Sequence, residues 1–520
     1  MAQTTLPTDW VLHNVPLDIW SLIFRIFHHE SSIRAAAPEM IRLSHVCSSW
    51  RATIKDTPEL WTKVSLVTRT NLFLHQPSTK AKLLSLVLKR SKNMPLTTMN
   101  EHVHGMSYRG GPVGLGFDLA PVKHFLDAVA RSKTANLNLT ALGAVLLGFQ
   151  QNMSGMEGLP PARLLEELTL FSVYSREQPH CTELASRIWK DSSLLRTVSF
   201  HGDYITPDAV RWLQSAQFPL SQLTTLTMMA DTIEAFFELL SLTPLLVTAT
   251  IHIPENDEFS FEDTKMVRLE SLQTLTLRTY FNKYLRQSDS DSDDEDLYGS
   301  YEAEEAEVEA VEEAEEAEEA DAAEEVHGNV MRALEFIVAP SLKVLSLHLG
   351  NRNWSLKAFE KFMDGSSRPT IERLSLDALG VSHKDKLECL RMLPFLRELE
   401  LTTRQEVGKP KRIRGGFWGA LKEWDSGSGR FVLCPRFEKL TLGYDALSKT
   451  SIAVFADFVG ERWKQSSGGN NFVLLLKEAD SDKLAEREIL IESIAEIDPL
   501  LKLTQESGLK LRIKPEFSIR

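Results

Sequence analysis

Apolar residues recur along this chain with two different rhythms. Within residues 15–61 they come at three- and four-residue steps. Ile19, Ile23, Phe24 and Phe27 do so in NVPLDIWSLIFRIF; Leu43, Val46, Cys47, Trp50 and Ile54 do so in the run ending MIRLSHVCSSWRATIKDTPELW. That spacing puts each set on one face of an amphipathic helix, with Ser44, His45, Ser48, Ser49 and Arg51 on the other side of the second. Pro16 suits the first helical turn, where its missing N–H costs nothing, and Asn14 suits the N-cap. Two short helices within about 45 residues do not close a core of their own. Part of this apolar surface is therefore expected to meet another protein.

From Leu165 the rhythm changes to L-x-x-L-x-L. It is carried by LEELTL at Leu165, LRTVSF at Leu195, LTTLTM at Leu223, LVTATI at Leu246 and LQTLTL at Leu272. It continues as LKVLSL at Leu342, IERLSL at Ile371, LRELEL at Leu396 and FEKLTL at Phe437. Successive starts lie 30, 28, 23, 26, 70, 29, 25 and 41 residues apart. Spacings of this size suit degenerate leucine-rich repeats, each giving one strand and a returning helix, and residues 233–240 and 357–363 read as two such helices. The fold class expected is α/β, a solenoid with a parallel sheet over residues 161–520. A doubly wound α/β sheet is the alternative, but it would not repeat the motif so faithfully. Before it, residues 66–160 read as a linker with irregular repeat-like units: a strand at VSLV after Trp61, a helix over 81–90, and another strand from Pro95-Leu96. After it, FVLLL at Phe472, a helix near 482–495 and LKLRI at Leu509 read as a capping unit over 470–520.

Strand side chains alternate in facing, so alternate positions of each repeat point away from the leucine core. Hydroxyls fill one outward position: Thr169, Ser199, Thr227, Thr250, Thr276, Ser346, Ser375 and Thr441, with Glu400 the exception. Two residues further along come Phe171, His201, Met229, His252, Arg278, His348, Asp377, Thr402 and Gly443. Varied side chains on a regular platform suit partner recognition, and plain solvent exposure is the equal alternative. Phe171, His201, Met229, His252, Arg278 and His348 are the candidate substrate contacts.

The N-terminal residues carry a resemblance. Pro16, Ile19 and Ile23-Phe24, then Val46-Cys47-Ser48-Ser49-Trp50-Arg51, then Pro58-Glu59-Leu60-Trp61 resemble an F-box, most like the variant common in mushroom-forming fungi. Val15 stands where that family usually has Leu, and residues 28–40 form a longer link than in many members. A weaker likeness, SKNMPL, extends to about residue 100. The resemblance implies a trihelical module over residues 1–65 that binds the Skp-type adaptor of an SCF-type cullin–RING ubiquitin ligase. Pro16, Ile19, Ile23, Phe24, Phe27, Val46, Cys47 and Trp50 would make that contact. It also implies a non-catalytic substrate adaptor, with an unknown protein held by the repeats. A leucine-rich-repeat scaffold without a ligase role is the alternative.

Charge modifies this picture in one place. The net charge is −14, yet residues 288–326 hold 20 Asp and Glu and no Lys or Arg. Without them 58 basic residues face 52 acidic ones, so the body is mildly basic. Subtracting these 39 residues from the spacing of 70 leaves 31, which makes the tract an insertion between neighbouring repeats. Glu residues three and four apart repel, and few apolar groups accompany them, so disorder is expected there. Ser288, Ser290 and Ser292 fit an acid-directed kinase. Lys409-Pro-Lys411-Arg412-Ile-Arg414-Gly-Gly-Phe417-Trp418 reads as an import signal or acidic-partner site, or as a solvated loop whose aromatics tuck back.

Other chemistry is thinly represented. The N-terminal residues show no basic-then-apolar secretory pattern and no apolar run is long enough to span a bilayer, which points to the cytoplasm, the nucleus or both. Cys47, Cys181, Cys389 and Cys434 lie far apart, which argues against a metal knuckle or disulfide framework and for small core residues. The glycine-rich residues 110–121 match neither phosphate-loop spacing, and His102 with His104 lacks a third ligand. No hydrolase, P-loop or zinc-protease motif is present, so no cofactor or metal, and no nucleic acid or membrane partner, is expected.

Overall fold

The computed structural model describes residues 15–69, 77–103, 120–138, 142, 160–171, 186, 188–201, 204–254, 264–280, 328–349, 354–377, 381–401, 413, 415–443, 452–465, 473–477 and 511–514. The N-terminal apolar steps fold as three helices, where the spacing alone pointed to two and the resemblance implied three. These are α1 (Leu17–Glu30), α2 (Ala36–Leu43) and α3 (Ser48–Asp56), followed by a 3-10 turn at Pro58–Trp61. The expected second helix breaks after Leu43, where His45 N–H bonds Arg42 O and Val46 N–H bonds Leu43 O, at 3.0 and 3.2 Å. Cys47 is then extended (φ −153°, ψ 170°), and its Sγ accepts the Trp50 N–H at 3.4 Å as the N-cap of α3. Cys47 is thus a half-exposed cap and not the small core residue expected, whereas Cys389 and Cys434 are buried. Pro16 also moves by one position. It is the N-cap of α1, with ψ 147°, and its carbonyl accepts from Ile19 and Trp20. Asn14 lies outside the described residues.

The chain divides into two compact units, Met1–Asp231 with Glu238–Leu246 and Thr232–Phe237 with Val247–Arg520. In the first, β1 (Lys63–Arg69), β2 (Leu96–Val103), β3 (Ser132–Asn138), β4 (Glu167–Phe171), β5 (Thr197–His201) and β6 (Thr225–Met229) pair in parallel, in chain order. Helices Pro77–Arg90 and Ala120–Val129 connect the first three strands. Residues 66–160 contribute to three strands of this sheet: the strand expected at VSLV is β1, the helix expected over 81–90 lies within Pro77–Arg90, and the strand expected from Pro95-Leu96 is β2. Their inward positions include Thr98, Asn100 and Ser132, all buried. Each finds a partner, as buried polar groups must. Ser132 Oγ donates to Ala128 O at 2.9 Å and lies 3.0 Å from Thr98 Oγ1. Asn100 receives the Asn138 N–H at 2.8 Å and donates Nδ2 to Asn138 O at 3.0 Å, so its side chain stands in for a strand backbone.

In the second unit, β7 (Thr248–Pro254), β8 (Val267–Arg268), β9 (Thr274–Tyr280), β10 (Ile337–Val338), β11 (Val344–His348), β12 (Arg373–Asp377) and β13 (Glu398–Leu401) come first. They are followed by β14 (Trp424–Asp425), β15 (Arg430–Phe431), β16 (Lys439–Gly443), β17 (Val473–Lys477) and β18 (Leu511–Lys514). Eight of these form a parallel sheet in the order β7-β9-β11-β12-β13-β16-β17-β18; β8 with β10 and β14 with β15 make two small ladders. β17 and β18, expected in a capping unit, extend the parallel sheet, and the helix expected near 482–495 lies outside the described residues. Strand order follows chain order in both units with no reversal, which is solenoid-like and unlike a doubly wound sheet.

All nine L-x-x-L-x-L segments form strands, and a recurring turn aims eight of them; Ile371 instead bonds Pro369 O at 2.9 Å. The N–H of Leu165, Leu195, Leu223, Leu246, Leu272, Leu342, Leu396 and Phe437 bonds the carbonyl three residues earlier at 3.1–3.2 Å. The first residue of each motif is buried, and period-2 alternation then buries the other two apolar positions. The expected helices appear as Ile233–Ser241 and Leu356–Gly365. Thr206, Ser355 and Ser382 cap three helices through their hydroxyls, accepting at 3.1–3.2 Å as N-caps should. β9 pairs directly with β11, Thr274 opposite Val344, so residues 288–326 interrupt neighbouring strands, although the tract itself lies outside the described residues.

Candidate docking surfaces

Eight of the 14 residues of α1, LDIWSLIFRIFHHE, are apolar, more than one stripe can hold. The inner side is aromatic. Phe24 is buried, with its ring centroid 5.0 Å from Trp50, and Trp20 lies 4.6 Å from Trp50. Behind them Trp61 is buried and donates Nε1–H to Ile54 O at 2.7 Å, while the Arg90 guanidinium sits 4.3 Å over its ring. With this side spent on the module's own core, the remaining apolar side chains face solvent. Leu17, Ile19, Leu22, Ile23, Ile26 and Phe27 are between 42 and 57% exposed, and Val46 before α3 is 51% exposed. Ile19, Leu22, Ile23, Ile26 and Phe27 are three or four residues apart, so they share one continuous helical face.

The end of α1 is clasped. Lys63, first residue of β1, donates Nζ to the carbonyls of His28 (2.7 Å), His29 (2.9 Å) and Ser31 (2.7 Å). A cation there satisfies orphan carbonyls and complements the helix dipole. Burial lowers the Lys63 pKa, and Glu39, held by Ser31 Oγ at 2.5 Å, opposes that shift. His28 is buried beside the clasp. Burial first, then the Lys63 ammonium and His29, pull it down to about 4, so it is neutral in the folded protein at pH 7.

Of the residues the F-box resemblance selects, Pro16, Ile19, Ile23, Phe27 and Val46 are exposed. Cys47 and Trp50 are half-buried, one capping a helix and the other completing the aromatic cluster. Phe24 is a correction: at 2% exposure it supports the surface from beneath and cannot itself contact a partner. Leu17, Leu22 and Ile26 were missed because a single stripe was sought; an excess of apolar residues all round α1 was the available signal.

The second surface is the outward sheet face. In the first unit, Phe171 and His201 are register partners, with rings 5.7 Å apart and 28° from parallel. Met229 ends β6, two residues past Thr227, which pairs with Ser199. In the second unit, His252, Arg278 and His348 fall into one row across β7, β9 and β11, and Asp377 of β12 is next in register. The hydroxyls of Thr250, Thr276 and Ser346 form the parallel row two residues earlier. Further along, Ser375 and Thr441 are buried, so the outward face is not open everywhere.

Phe417 and Trp418 are buried, and Trp418 lies 4.7 Å from Phe455, as the tucked-back reading requires; Lys409, Lys411, Arg412 and Arg414 lie outside the described residues. His102 lies in β2, while His104, Cys181 and residues 110–119 are not among those described. Burial pushes the Cys434 thiol up to about 12 and Cys389 higher still, which makes both inert. Among the described residues no His, Cys, Asp and Glu cluster could hold a metal, and no helix is long and apolar enough to cross a membrane. No protein-family model matches the chain, and no curated protein sequence matches it.

Proposed function

We propose that this chain is a substrate-recognition subunit of an SCF-type ubiquitin ligase. The three N-terminal helices dock a Skp-type adaptor, and leucine-rich-repeat strands hold a protein substrate on their outward face. The observation that carries the reading is the exposed row Ile19–Leu22–Ile23–Ile26–Phe27 on α1, next to the VCSSWR and PELW sequences. Exposed apolar patches of this kind mark interaction sites, and a few central anchors dominate such interfaces. No catalytic group is needed in this role. Holding a substrate beside the ligase raises its effective concentration at the site of transfer.

The test is capture of a purified Skp-type adaptor by the full-length chain. Ile23→Asp introduces a charge into the centre of the apolar row at a site 43% exposed, so folding is retained. Capture should fall by roughly a hundredfold, the loss of one or two anchors at about 1.4 kcal/mol per factor of ten. Equal capture by wild type and Ile23→Asp, or no capture by wild type, removes the docking role.

A further inference from the structure

We infer that Phe395, Trp424, Val432 and Arg436 form a further docking surface, which takes a segment of a partner protein that is both acidic and apolar. The surface lies within the second unit and is independent of adaptor docking by α1. The motifs at Leu396 and Phe437 start 41 residues apart, against 23 to 31 for most of the series. Yet β13 pairs directly with β16, Glu398 opposite Lys439, so the sheet does not need the extra length. Part of that length is the β14–β15 hairpin, and its frame is held at several points. The Val432 N–H bonds Glu423 O at 3.0 Å, Asp425 Oδ1 accepts the Gly427 N–H at 2.9 Å, and the Trp424 and Phe431 rings meet edge to face at 4.8 Å. Beneath them the buried Arg462 guanidinium lies against Phe431 and donates to the carbonyls of Leu433 and Cys434, which fixes the turn leading to Arg436.

This frame holds apolar groups out in solvent. Trp424, Phe395 and Val432 are 37 to 51% exposed, while Phe431, Leu433 and Phe437 beside them are buried. Exposed apolar groups gathered at one place mark interaction sites, and Trp and Arg are the usual anchors. Arg436 decides the chemistry of the partner. Its exposed guanidinium lies over the Phe395 ring, 5.1 Å from the centroid, and among the described residues it meets no carboxylate. The nearby acids are already engaged: Glu438 by Arg397, Glu398 by Arg373 and Lys439, and Asp425 by the hairpin tip at Gly427 and Ser428. A guanidinium resting on a ring keeps its edge donors free, and that edge receives a carboxylate through two parallel bonds. Arg430 in β15 adds a second exposed cation. A carboxylate on Arg436 with an apolar side chain against Trp424 and Val432 matches both features.

The probe is a short fluorescein-labelled peptide of alternating Asp and Leu, titrated at low ionic strength into the full chain, because exposed charges are screened within about 10 Å at 0.1 M salt. The wild type should bind it roughly tenfold more tightly than the same peptide with Lys in place of Asp. Arg436→Gln, a change at an exposed position, should weaken binding roughly tenfold, the loss of one charge-assisted contact. Arg436→Lys keeps the charge without the paired donors and should fall between the two. Trp424→Ser removes the anchor and should weaken binding by roughly tenfold or more. Equal binding of the two peptides, binding unchanged by both Arg436→Gln and Trp424→Ser, or no binding by the wild type overturns the assignment. Ile23→Asp should leave peptide binding unchanged, which separates this surface from adaptor docking.

Discussion

Single side chains decide how this chain responds to acid. His28 has its folded pKa depressed to about 4 from 6.5, chiefly by burial. The unfolded chain then binds a proton between those two values that the folded chain refuses. The stability contributed by neutral His28 is complete above pH 6.5 and is lost as pH falls toward 4. Thermal unfolding of wild type and His28→Gln should therefore show a larger fall in Tm for wild type between pH 7 and pH 5. A parallel fall in both would show that His28 is not the group responsible. The nearby Lys63 clasp supplies part of the depression, since an ammonium beside an imidazole disfavours a second positive charge. Arg462 shows the same economy of buried charge. It is 1% exposed, donates to the carbonyls of Leu421, Leu433 and Cys434 at 2.6–3.1 Å, and lies 3.7 Å over the Phe431 ring; burial pulls its pKa down to about 10, still charged at pH 7.

At the scale of elements, the inward-facing residues determine what could be read from sequence. The nine repeat strands were legible because two leucine-like residues alternate inward in each, after a first residue aimed by the turn. β3 was not, because Ser132 and Ala135 occupy buried places in it and present no apolar rhythm; β2 was read only from its start at Pro95-Leu96, since its inward Thr98 and Asn100 are polar. The break between α2 and α3 was hidden for the opposite reason. Leu43, Val46, Cys47 and Trp50 keep a helical spacing straight through the turn, and Cys47 is not a residue that announces a cap. Polar core positions depend on complete pairing, so Asn100→Ala should cost about 1–3 kcal/mol by leaving the Asn138 N–H and carbonyl unsatisfied. Denaturant titration measures it, and a loss below about 0.5 kcal/mol would mean that water replaces the amide. That α1 carries apolar surface beyond its own core was legible, but not every residue on it, because spacing alone does not say that Phe24 lies inward and Leu17, Leu22 and Ile26 outward.

For the whole molecule, the pairing of β9 with β11 has a consequence for the acidic residues between them. Register runs from Thr274 opposite Val344 to Arg278 opposite His348, so neighbouring repeats meet without any contribution from residues 288–326 to that ladder. A longer closing loop costs only about 0.6 kcal/mol per doubling of length. Deleting residues 288–326 should therefore leave Tm within a few degrees of the full chain by calorimetry; a loss of cooperative unfolding would show that the tract supports the ladder.

The parallel strand order in each unit also fixes how the molecule carries mechanical load. A strand in a chain-order parallel sheet holds only its predecessor and its successor. Tension applied across the strands is borne by one ladder at a time, and the sheet unzips from an edge repeat by repeat, without shearing as a block. With one Leu motif every 23 to 31 residues in most of the series, each such step releases a segment of roughly 100 Å when stretched. Under load such a chain gives way gradually, and the repeats behind the yielding edge keep their register.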